Sequence, residues 1–156
     1  MGDLDARLHS AQYAAAREIA RRAHEGQLYG DGTYFDEHLL RVVARVAHRG
    51  IDAMTVALLH DIVEDTPVSL SHLHTLFPAD IVDDVSFLTH KKSDPYADYI
   101  HDVCEAGRLN ILYVKQADLE CHIAAANSAF WREKVTSKWS PALAEVLQAI
   151  HRLEAV

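Results

Sequence analysis

The segment Val56-Ala57-Leu58-Leu59-His60-Asp61-Ile62-Val63-Glu64-Asp65-Thr66 carries the densest chemistry in the chain. Four apolar residues lead straight into a His-Asp pair, and three carboxylates fall within five positions. On a helix, His60 and Glu64 stand four apart and share a face, as do Asp61 and Asp65. The acidic groups fall at the C-terminal end of an apolar stretch, where the helix macrodipole disfavours negative charge. Burying carboxylates without partners is costly, and no Lys or Arg stands nearby in sequence to neutralise them. A divalent cation resolves the conflict, with His60 and Asp61 as adjacent ligands. Such an ion lowers the pKa of bound water, and a carboxylate one turn further on can take that water's proton. The competing reading is the solvated end of an amphipathic helix. Ile62 and Val63, set between the charged pairs, argue against full exposure.

Two further positions bear on a metal site. His38 opens a helix directly after a loop and is followed by Leu39-Leu40, which places it at the core boundary. Taken alone it reads as a satisfied core or cap histidine. Asp118 ends the run Val114-Lys115-Gln116-Ala117-Asp118 and alone reads as a surface residue or a partner of Lys115. The chain has 11 histidines, so most need no special account. His9, His48, His72, His74, His90, His101 and His151 fall on polar faces or helix ends and read as solvated. Imidazole is nonetheless the commonest metal ligand.

These residues have to be positioned by helices, since alternating strand patterns are nearly absent. The first helix is expected from about Ser10 to Glu25, with Ala14, Ala15, Ile19 and Ala23 at helical spacing. Gly26 ends it, and Tyr29-Gly30-Asp31-Gly32 reads as a loop. The second is expected from about Asp36 to His48 and is stopped by Gly50. The third has Asp52 as N-cap and runs to about Asp65; Thr66-Pro67 closes it. A short helix over Ser69–Phe77 follows, then one opened by Pro78 and one opened by Ser93-Asp94-Pro95. Gly107 precedes a long helix from about Asn110 to Ala126. A last helix spans about Pro141 to Leu153. The expectation is an all-α bundle of seven to nine helices in one domain over residues 1–156.

Composition narrows the partners. A chain of 156 residues, 49% hydrophobic and 24% charged, suits one globular domain with a real core. No segment approaches the ~18–20 apolar residues of a membrane span, and the N-terminus lacks the apolar region of a secretory signal. Cys104 and Cys121 form no disulfide framework, which fits a reducing cytoplasm. Net charge is −8 with scattered basic residues, which speaks against nucleic acid as the main partner. Anionic small molecules stay open, because a bound cation reverses the local field.

In combination, these positions resemble the HD-domain hydrolases, and most closely the (p)ppGpp-hydrolase domain of RelA/SpoT homologues and their small single-domain relatives. The resemblance spans roughly Ala14 to Asn127. It rests on Ala23-His24-Glu25-Gly26-Gln27, His38, Ala57 through Thr66, Leu88-Thr89, Tyr96–Ile100 and Val114 through Glu120. It implies a compact HD-type helical bundle and a metal-dependent phosphohydrolase acting on a small-molecule nucleotide phosphoester or pyrophosphate. His38, His60, Asp61 and Asp118 match the family's metal ligands, usually for one Mn²⁺; the donor set also suits Fe²⁺, Co²⁺, Mg²⁺ or Zn²⁺. Glu64 and Asp65 match the acidic pair that positions and deprotonates the attacking water.

The substrate-binding positions depart from that family. Tyr29 and Gly30 stand where it carries an Arg-Lys pair for the guanine base and phosphates. His122 stands where it has an asparagine that contacts substrate, and Leu39 replaces a proline. Tyr29 can still stack on a base and His122 can still hydrogen-bond, so both are candidate substrate-binding residues. The lost cations imply a preference for a nucleotide less charged than ppGpp. Competing readings are a nucleotidase or nucleoside triphosphate hydrolase of the same fold, a di-iron oxygenase using His72 and His74, and a non-catalytic nucleotide-binding module. Oligomeric state is open, a homo-oligomer included.

Overall fold

The computed structural model describes residues 2–156. In chain order the helices are α1 (Gly2–Ala23), α2 (Leu40–Val46), α3 (Ile51–Leu59), α4 (Ile62–Asp65), α5 (Leu70–His74), α6 (Ala79–Leu88), α7 (Tyr96–Glu105), α8 (Leu109–Ala125), α9 (Ala129–Lys134) and α10 (Ser140–Glu154). A π-helical turn, Phe35–Leu39, leads into α2, and a second, Val135–Trp139, leads into α10. The result is the expected all-α bundle.

α3 lies at its centre. Ala53 and Thr55 through Leu59 are all buried, as a helix apolar on every side requires. It packs against α1, α2, α6 and α8. Val56, Leu58 and Leu59 are fully buried, each worth roughly 1.5–3 kcal/mol. α8 is the second pillar. Ile111 through Lys115 and Ala117 through Leu119 are buried along it, and it packs against α2, α3, α6, α7 and α10. The C-terminal end of α3 and the middle of α8, which carry His60 and Asp118, are therefore held by the core itself.

Several boundaries differ from expectation, each for a local reason. α1 begins at Gly2, well before Ser10. Residues 2–11 are exposed, so no buried stripe marks them; an Arg7–Asp3 ion pair of 2.9 Å spans adjacent turns. Tyr29-Gly30-Asp31-Gly32 is the tip of a hairpin rather than an irregular loop, with Leu28 paired to Thr33 and Tyr29 to Gly32. Gly30 has φ 61°, which glycine adopts without strain. A side chain at Gly32 would collide with Glu37 Cγ. Gly50, with φ 105°, caps α3 in place of Asp52, which lies in the first turn. The expected helix to Asp65 is broken: α3 ends at Leu59, Asp61 leaves helical geometry at φ −107° and ψ 0°, and α4 restarts at Ile62. α9 was not anticipated, because its residues are exposed or half-buried and present no apolar face.

Candidate metal centre

The break between α3 and α4 aims the His-Asp pair inward. His60 Nδ1 donates to the Ala57 carbonyl at 2.6 Å. That bond places the ring proton on Nδ1 and leaves the Nε2 lone pair pointing into the site. Nε2 faces two carboxylates, Asp61 Oδ2 at 3.1 Å and Asp118 Oδ1 at 3.3 Å. An acceptor surrounded by acceptors is relieved either by a proton on Nε2 or by a cation in its place. His38, carried by the first π-helical turn, brings Nε2 to 2.9 Å from Asp118 Oδ1 and 4.0 Å from Asp61 Oδ2. Wide turns of this kind recur at functional sites because they re-aim a side chain.

One ligand atom each from His38, His60, Asp61 and Asp118 lies within 4.8 Å of the other three. A common centre then falls within about 3 Å of all four, close to the ~2.0–2.3 Å of metal–ligand bonds. His38, His60 and Asp118 are buried and Asp61 is half-buried. The cluster suits a divalent cation. Electrostatics agrees. Against the burial that opposes charge, Asp61 and Asp118 raise the His60 pKa well above its usual value. Burial likewise opposes ionisation of both aspartates, yet His60 beside Asp61 and Lys115 beside Asp118 hold them below the ordinary carboxylate range. Lys115 Nζ takes Asp118 Oδ2 at 2.9 Å and leaves Oδ1 for the imidazoles. Tyr34 Oη donates to Asp61 Oδ2.

Glu64 and Asp65 reach the same cavity, about 240 Å³ in volume. The His90 amide donates to Glu64 Oε1 at 2.5 Å. Burial, reinforced by the Asp61 charge, pushes the Glu64 pKa up to about 7. Burial and Asp61 also raise Asp65, while Gln27 opposes them by donating from Nε2 at 3.2 Å. Gln27 is itself fixed by His24, whose Nδ1 lies 2.7 Å from Gln27 Oε1.

Tyr29 and His122 meet each other, with Tyr29 Oη 2.9 Å from His122 Nδ1. His122 Nε2 lies 3.1 Å from Asp118 Oδ1, and its ring stacks on His38 at 4.4 Å and 19°. A carboxylate only accepts, so His122 carries its proton on Nε2 and accepts from Tyr29 at Nδ1. The two residues thus brace the ligand set as well as bordering open space.

Sequence reasoning missed Tyr34, His90, Lys138 and Trp139, all of which line this cavity. His90 reads as solvated in sequence but is half-buried. No local signal separates it from the chain's other histidines. Lys138 and Trp139 come from the second π-helical turn; the one available clue was two tryptophans close together in the C-terminal quarter.

No family model matches the chain. It is 42% identical over 79 residues to the guanosine-3′,5′-bis(diphosphate) 3′-pyrophosphohydrolase of Haemophilus influenzae, covering 47% of this chain and 12% of that protein. It is 33% identical over 86 residues to the pyrophosphohydrolase MESH1 of Danio rerio, covering 51% and 48%. A solved structure described as a metazoan orthologue of SpoT that hydrolyses ppGpp superposes with a TM-score of 0.66 at 19% identity, covering 93% of this chain and 94% of that one. The chain shares the fold of that solved structure over nearly its whole length. It spans from about an eighth to about half the length of these curated relatives. Among the described residues, no helix is long and apolar enough to cross a membrane.

Proposed function

We propose that the chain is a metal-dependent phosphohydrolase that cleaves a nucleotide phosphoester or pyrophosphate, with chemistry like that of a (p)ppGpp 3′-pyrophosphohydrolase. The observation that carries this reading is the convergence of His38, His60, Asp61 and Asp118 within 4.8 Å beside two carboxylates with raised pKa. His38, His60, Asp61 and Asp118 would hold one divalent ion, with Mn²⁺ as the first candidate. When bound, the ion lowers the pKa of a water and offsets charge on a phosphoryl oxygen.

The chain's own groups do the rest. Glu64 is held at one oxygen by the His90 amide, which leaves the other to accept the proton of the attacking water. Its pKa near neutrality suits a general base. Asp65, fixed by Gln27, orients the same water. Lys115 and Lys138 line the cavity and oppose the charge of the phosphoryl oxygens. Tyr29 and Gly30 leave the hairpin tip without the cations that would bind a second diphosphate, so a less charged nucleotide is preferred over ppGpp.

The test is a nucleotide panel with Mn²⁺ that monitors phosphate and pyrophosphate separately. Release that Glu64→Gln abolishes supports the reading. A panel that includes ppGpp, mono-, di- and triphosphates and yields no release overturns it.

A further inference from the structure

Beside the metal cavity lies a larger one of about 650 Å³, ample for a nucleoside. The two share Tyr34, His122 and Trp139. Across that shared wall runs a ladder of near-parallel rings. His38 stacks on His122 at 4.4 Å and 19°, His122 on Trp139 at 5.1 Å and 15°, and Trp139 on Trp131 at 5.9 Å and 10°. Trp131 ends the ladder 45% exposed, braced edge-on by Phe130 at 4.8 Å and 77°. An exposed indole held in a fixed plane over a cavity is a stacking platform for a flat heteroaromatic ring.

Both cavities are lined by more carboxylates than cations; the metal cavity carries Asp61, Glu64, Asp65 and Asp118 against Lys115 and Lys138. The charged residues lining the larger one, among those described, are Asp31, Glu37 and Arg41. Arg41 is taken by Glu37 at 2.6 Å, so the balance there is acidic. The lysines are on the other side of the wall. Lys115 is paired with Asp118, while Lys138 has no carboxylate partner among the described residues and lines the metal cavity. With a cation at the four-residue cluster a phosphate is favoured at the metal end, whereas a second one at the aromatic end meets Asp31 with no cation to offset it.

We propose that the larger cavity seats the base of the substrate on the exposed face of Trp131, which Trp139 backs, and that Asp31 disfavours a second phosphate at that end. The phosphate end of this inference rests on the phosphohydrolase reading; the base end stands on the cavity alone.

Trp131 and Trp139 are the only two tryptophans in the chain, so its indole emission reports on this cavity directly. The full chain is titrated in EDTA with AMP, GMP and ribose 5-phosphate, and with Mg²⁺ present with AMP and adenosine 3′,5′-bisphosphate. AMP and GMP quench saturably, ribose 5-phosphate does not, and the bisphosphate binds more weakly than AMP. Trp131→Ala, read through Trp139, weakens AMP binding by roughly 5- to 150-fold, the usual scale for one stacked base, and Trp131→Phe restores most of it. Quenching by ribose 5-phosphate equal to that by AMP, an unchanged affinity in Trp131→Ala, or tighter binding of the bisphosphate overturns the proposal. Adding Mn²⁺ separates the two readings. Saturable quenching by AMP and GMP with no release from any nucleotide of the full panel sinks the hydrolase reading and leaves the base site standing. Release from AMP or GMP that is not accompanied by quenching sinks the base site and leaves the hydrolase standing.

Discussion

Returning a divalent cation to chelated protein tests the four-ligand cluster through folding stability, with no substrate involved. Without an ion, Asp61 and Asp118 crowd the Nε2 of His60 at 3.1 and 3.3 Å, in a site where His38, His60 and Asp118 are buried. The unfolded chain offers no such convergence: His38 and Asp118 are 80 positions apart. Binding confined to the folded state stabilises it by about 2.7 kcal/mol at a hundredfold excess of ion over its Kd. For a chain of this size each kcal/mol moves Tm by roughly 2–4 °C. The expected rise is therefore about 5–11 °C, read by scanning calorimetry on protein stripped with EDTA and titrated with MnCl₂ near neutral pH. Asp118→Asn weakens the oxygen that three imidazoles face and should lose most of the rise. Glu64→Gln should keep it while cutting turnover about 10²-fold, the scale of a lost general base. A rise below about 1 °C with saturating Mn²⁺, Fe²⁺, Co²⁺, Mg²⁺ and Zn²⁺ alike would falsify the metal site. Equal loss of the rise in Asp118→Asn and Glu64→Gln would make Glu64 a ligand and refute its role as base.

The rate should climb with pH as Glu64 gives up its proton. Burial and Asp61 raise its pKa to about 7 and a bound cation pulls it back, so the acid limb of kcat/KM should fall between 4.5 and 7 and vanish in Glu64→Gln. Gln27→Leu removes the donor to Asp65 and leaves the His24 imidazole without its acceptor; kcat should drop about tenfold with metal content unchanged, the scale of outer-shell support. Equal falls in kcat and in metal content would place Gln27 in folding instead. Tyr29→Arg with Gly30→Lys should raise kcat/KM on ppGpp, each charge-assisted contact being worth roughly 1.5–3 kcal/mol. The same variant should melt a few degrees lower, because Gly30 has φ 61° and a side chain there costs about 1–2 kcal/mol. Unchanged ppGpp kinetics in the double variant would show that the hairpin tip does not meet substrate.

Local signals located much of the bundle. Gly107, Pro78 and Thr66-Pro67 end or open helices through the backbone of one or two residues, and the structure places breaks at each. The apolar run before His60 announces a helix buried on all sides, and α3 is one. The conflict between that run and the acidic residues after it was also legible, because desolvation depends on composition within a single turn. Helix α9 and the exposed start of α1 escaped notice for the converse reason: a helix without a buried face leaves no periodic pattern.

What tertiary structure decided is how the conflict is resolved. No Lys or Arg close in sequence neutralises Asp61, Glu64 and Asp65, yet the fold brings His38 from a π-helical turn and Asp118 from α8 to the α3–α4 break. It buries Lys115 against Asp118 Oδ2, so the remaining oxygen faces the imidazoles. It makes His90 a donor to Glu64 although its sequence surroundings read as solvated. It also sets Lys138 and Trp139 at the cavity wall through a wide turn that no residue pattern foretold. Helix formation follows hydrogen bonds four residues apart and is written locally, whereas the position of a charge depends on which distant side chains share its desolvated space.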